Sequence, residues 1–110
     1  MLHLQETVAH VAVDEALVDY MLAIVKHTRE HEALAMGVSP RGAQALFRAS
    51  QALAAVEGRD YVTPDDVKRM VVPVFAHRVL LSTRAAAGQR WAGAAEKILE
   101  EILTLVDVPL

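Results

Sequence analysis

Gly37-Val38-Ser39-Pro40-Arg41-Gly42 decides how this chain is read, together with the Ala/Leu-rich run behind it and Glu57-Gly58-Arg59-Asp60-Tyr61-Val62-Thr63-Pro64-Asp65-Asp66-Val67 beyond. Ser39 followed by Pro40 is a helix start. The serine oxygen can accept from a free N–H of the first turn, and proline fits the first helical position. Arg41 is the anomaly. It puts a fixed positive charge where the helix already carries partial positive charge and where acids are favoured, a penalty of about 0.3–1 kcal/mol. Two readings stand open: a cation solvated or paired with a distant acid, or a guanidinium set beside helix N–H groups to hold phosphate.

Working outward, the spacing predicts a first helix over Val13–Glu30, with Leu17, Tyr20, Met21, Ile24 and Thr28 on one face. His31 to Gly37 reads as a connector. A second helix is predicted from Pro40 to Glu57, with Leu46, Ala49, Leu53 and Val56 inward and Gln44, Arg48, Gln51 and Ala55 opposite. Gly58 stands where a left-handed residue ends a helix. Thr63 caps a third helix with Pro64 in its first position and Asp65 and Asp66 in its first turn, where acids are stabilising. That helix is expected to end near Met70, with Pro73 separating it from a further segment, Val74–Leu80. A last helix spans Ala94–Val106, with Ala95, Ile98, Leu99, Ile102, Leu105 and Val106 on its inner side. Residues 1–12 and 82–93 are less regular, and Trp91 is read as an anchor for the last helix. The expected fold is all-α, a bundle of about four to five helices in one domain over residues 1–110, with room for short strands at Asp60–Val62 and Val79–Ser82.

Composition narrows the function. The 110 residues hold no cysteine, which removes disulfides, thiolate metal sites and cysteine nucleophiles. No apolar run approaches the roughly 18–20 residues of a membrane span, and no signal peptide is visible, so a cytoplasmic domain is expected. The net charge of −3 gives no general case for nucleic acid. Its distribution is uneven: Val38–Arg90 carries eight basic residues against four acids, the remainder three against ten. His27 and His31 have a metal-compatible spacing but no third ligand nearby, so no metal site is expected. Arg59 and Arg78 are expected to tie the domain together through backbone or acids such as Asp60, Asp65 or Asp66.

From Tyr20 to Leu81 the chain resembles the C-terminal lid of MoxR-type AAA+ ATPases. The resemblance rests on Tyr20, Val25, Thr28 and Arg29, then Gly37-Val38-Ser39-Pro40-Arg41, then Gly58 to Val67, then His77-Arg78-Val79, in that order and spacing. It implies that Arg41 is the sensor-2 residue, reaching from the lid to nucleotide phosphates with Ser39 and Pro40 forming the helix start beside it. It also implies a hexameric, chaperone-like ATPase acting on protein clients, often ones with von Willebrand-type domains or metal cofactors to be inserted. ATP would be the cofactor, with its magnesium held by a core domain, and the partners would be that core and neighbouring ring subunits. The chain has no Gly-x-x-x-x-Gly-Lys-Ser/Thr loop and no apolar run ending in Asp-Glu. It is therefore expected to be a piece of a longer ATPase and no enzyme in isolation. A second reading remains: helix, loop, Gly58-Arg59-x-x-x-Thr63-x-x-Asp66-Val67, helix also resembles the second loop of a histone-type dimerisation or DNA-binding module. The acidic flanks speak against that reading.

Overall fold

The computed structural model describes residue 8, residues 10–82 and residues 93–109. Among these residues four helices and a small sheet follow in the order α1 (Glu15–Glu30), β1 (Leu34–Met36), α2 (Pro40–Val56), α3 (Pro64–Phe75), β2 (Leu80–Leu81) and α4 (Ala94–Leu105). Of the stretches expected to be less regular, 1–12 and 82–93, residues 1–7, 9 and 83–92, Trp91 included, lie outside the described residues. Each of α1, α2 and α3 starts at a side-chain cap: Asp14, Ser39 and Thr63 accept from the N–H groups of Ala16, Gly42 and Asp66. Capping by Asp14 moves the start of α1 to Glu15, two residues later than the apolar pattern alone suggests.

The helices share one core. Ile24 of α1, Leu46 of α2, Val67, Val71 and Phe75 of α3, and Leu99 and Ile102 of α4 are all fully buried. α2 packs most extensively on α3, while α1 and α4 close the other side. The buried stripe of α2 is Gly42, Leu46, Ser50 and Ala54, with Gln51 beside it. This corrects the inner face expected from apolarity: Val56 is 74% exposed. Small residues at three of the four positions, Gly42, Ser50 and Ala54, let α2 lie close to its neighbours around Leu46, and its two buried polar groups are satisfied. Ser50 Oγ donates to Leu46 O at 2.8 Å, and Gln51 Nε2 donates to Val11 O at 2.9 Å. Leu105, expected inward on α4, is likewise exposed.

α3 runs through Pro73 rather than ending before it. A proline so near the C-terminus forfeits only the bond to the carbonyl of Arg69. Continuing the helix buries Phe75 on the face already formed by Val67 and Val71, and that burial offsets the loss. There is thus no separate helical segment over Val74–Leu80. After a turn the chain forms β2, antiparallel to β1, pairing Leu34 with Leu81 and Met36 with Leu80. β1 falls in the stretch read as a connector. The strand expected at Asp60–Val62 is a single parallel bridge between Tyr61 and Ala12.

Beyond α2, Gly58 has φ +79°, the left-handed conformation that lets the chain reverse. Arg59 then grips α3. Its Nη1 and Nη2 donate to Asp66 Oδ2 and Oδ1 at 2.6 and 2.7 Å, and Nη2 also donates to Glu57. Asp66 Oδ2 accepts in turn from the N–H of Thr63, completing a reciprocal capping box. Asp66 is 1% exposed, so its charge is tolerated only because Arg59 and these N–H groups face it. Those hydrogen bonds, the Arg59 ones foremost, outweigh desolvation and hold its carboxyl below the usual carboxylate range. A carboxyl that titrates lower folded than unfolded stabilises the fold above the unfolded value, about pH 4, and loses that contribution as pH falls through the folded one. Denaturant unfolding should therefore show stability declining in acid. Asp66→Asn should be less stable at neutral pH yet lose less between pH 5 and pH 2.

Candidate functional site

The start of α2 is built by the end of α1. Thr28, fully buried in the last turn of α1, donates its hydroxyl to Val25 O at 2.6 Å and accepts the N–H of Val38 at 3.0 Å. Arg29 Nε donates to the carbonyl of the same Val38 at 3.0 Å. Both polar groups of the residue before the cap are thereby held. Gly37 is required just upstream, since a Cβ there would lie 2.7 Å from Arg29 N and 2.8 Å from Thr28 C. Val38 itself is fully buried and seats its side chain against Gly42.

From this anchored residue the chain rises into Ser39, whose Oγ accepts from Gly42 N at 3.3 Å, and Pro40 at the first helical position. Ser39, Pro40 and Arg41 are all exposed. Among the described residues, the Arg41 side chain has no hydrogen-bond or ion-pair partner. The first turns of α1, α3 and α4 each contain an acid (Glu15; Asp65 and Asp66; Glu96), whereas that of α2 contains none. The three residues singled out by sequence therefore come together as an open, cationic corner. Arg78 adjoins it: its Cδ lies 3.3 Å from where a Cβ of Gly42 would be. Its guanidinium pairs with no acid among the described residues, unlike that of Arg59.

Other places hold less chemistry. A depression of about 710 Å³ is lined by His27, His31, Glu101 and Leu105, among others, with His31 Nε2 3.4 Å from Glu101 Oε2. A second, of about 520 Å³, lies between Leu22 of α1 and Phe47 and Arg48 of α2. Neither is lined by Ser39, Pro40 or Arg41. Among the described residues no three His, Cys, Asp or Glu side chains are grouped to hold a metal, and no helix is long and apolar enough to cross a membrane. Tyr20 hydroxyl is buried with no hydrogen-bond partner among those residues, and burial raises its pKa.

Among the described residues the start of α2 is thus an exposed, capped and cationic corner on a bundle of four helices. Comparison with known proteins identifies the class. Residues 26–102 match the AAA lid domain, and the chain belongs to that family. It is 40% identical over 108 residues to YeaC, an uncharacterized protein of Bacillus subtilis (strain 168), covering 97% of this chain and 32% of that protein. It is 36% identical over 118 residues to the chaperone MoxR1 of Mycobacterium tuberculosis, covering 99% of this chain and 30% of that protein. A crystal structure of a proposed ATPase from Cytophaga hutchinsonii superposes with a TM-score of 0.86 at 29% identity, over 96% of this chain and 34% of that one. The chain thus spans about a third of the length of these relatives.

Sequence reasoning missed the anchor. Thr28 reads as a core position and Thr28, Arg29 and Gly37 as carriers of the resemblance, with no sign in the sequence of what they hold or abut. Thr28→Val keeps the shape but leaves the Val38 N–H unsatisfied. It should lower stability by about 1–3 kcal/mol and speed hydrogen exchange of the Val38 amide.

Proposed function

We propose that this domain is the lid of a MoxR-type AAA+ ATPase and that Arg41 is its phosphate-sensing, sensor-2 residue. The observation that carries the reading is an exposed, unpaired arginine in the first turn of the one described helix that lacks an acid there. Such an arrangement disfavours the isolated helix and favours an anion placed against it. In the complete protein, of which residues 1–110 form one lid unit, a core domain supplies the phosphate loop and the magnesium-binding acids. ATP then lies between core and lid, and this chain alone catalyses nothing. Arg41 stabilises charge on the terminal phosphate, and the fixed dipole of α2 adds to it. The shared core of α1 to α4 lets the lid move as one body when the phosphate is lost, passing that displacement to the next subunit of a hexameric ring. The work is chaperone-like, on protein clients, in the cytoplasm.

Membership of the AAA lid family gives the Gly58–Val67 stretch a place within that fold and leaves no observation that favours a histone-type module. In the full-length protein, Arg41→Ala should reduce ATP hydrolysis by about tenfold or more, while thermal stability stays level or rises slightly. Unchanged turnover would sink the assignment.

A further inference from the structure

We infer that Arg29 is a positioning residue for Arg41, acting through the carbonyl oxygen of Val38; the inference rests on the reading of Arg41 as a phosphate sensor. The carbonyl of Val38 belongs to the residue before the cap, outside the hydrogen-bond ladder of α2. Arg29 Nε donates to it at 3.0 Å. The Val38–Ser39 peptide is planar, so fixing that oxygen fixes the plane that leads into Ser39. Downstream few soft torsions remain. Ser39 is held extended at φ −77°, ψ 166° with its hydroxyl on Gly42 N, and Pro40 has its φ locked by its ring. Arg41 follows at once. The direction in which its side chain leaves α2 is therefore set, over three residues, by where Arg29 holds Val38.

The division of labour between neighbours supports this. Thr28 is fully buried and makes two hydrogen bonds, so it serves the fold as well as the corner. Arg29 is exposed, and no carboxylate among the described residues pairs with it. The one side-chain hydrogen bond it makes among them is the one to Val38. A charge suited to the C-terminal end of α1 needs only to be a cation, and lysine would serve. The planar guanidinium does something lysine cannot: it presents Nε–H in a fixed direction.

The test is a double-mutant cycle on ATP hydrolysis by the full-length protein at saturating ATP, using Arg29→Ala, Arg41→Ala and the pair. A residue that acts through another loses its effect when that other is gone. Arg29→Ala should lower kcat by about tenfold in the parent protein and by nothing further in the Arg41→Ala background. Arg29→Lys should keep the melting temperature and fail to restore the rate. An equal loss in both backgrounds, no loss from Arg29→Ala, or full rate with lysine would each overturn the inference. If Arg41→Ala itself leaves hydrolysis intact, the sensor assignment falls instead, and that result is visible in the same cycle.

Discussion

The rest of the structure depends on one pinned residue. Val38 is held by its N–H on Thr28 and by its carbonyl on Arg29, with Gly37 pressed against the α1 backbone beside it. These contacts set where α2 begins relative to where α1 ends. They bring Val38 into the core and place Ser39, Pro40 and Arg41 at the surface above it. The residues between α1 and Gly37 are drawn into line as well, so that Leu34–Met36 can pair with the strand at Leu80–Leu81.

α2 is clamped at its far end by different chemistry. There Gly58 reverses the chain, the N–H of Arg59 donates to Ala54 O at 2.9 Å, and its guanidinium reaches the Asp66 carboxylate at the start of α3. One end is fixed by a buried hydroxyl and a single guanidinium N–H on the backbone of Val38, the other by a guanidinium–carboxylate fork. Between them Gly42, Ser50 and Ala54 allow close packing around Leu46. A helix fastened at both ends and flush along its length carries Arg41 as a rigid extension of the core. The paired arginine stabilises the fold while the unpaired one does not, and charge alone does not distinguish them. The position of the nearest carboxylate does.

What was legible in the sequence is the chemistry of near neighbours. Ser39-Pro40, Thr63-Pro64 with Asp66, and Gly58 announce helix ends through contacts within three or four residues, and each end is found there. The inner face of α1 was legible because Leu17, Tyr20, Met21, Ile24 and Thr28 contrast with their polar neighbours. α2 offered no such contrast. Alanine on several faces leaves the phase open, and Ser50 and Gln51 hide their polarity in hydrogen bonds that only the folded chain supplies. β1 depends on a partner far along the chain, and Pro73 was misread because the burial of Phe75 is a tertiary effect. At the candidate site the same line divides what could be read. The helix start and its misplaced cation are local; the α1 groups that hold them are not.

Residues 11 and 12 show one consequence of this construction. Val11 O accepts from Gln51 in the middle of α2, while Ala12 takes the carbonyl of Asp60 and offers its own to Val62. Tension applied along the chain here would load these three bonds together rather than one after another. The segment behaves as a stitched seam, not a hinge. A pull on it turns the bundle as a whole.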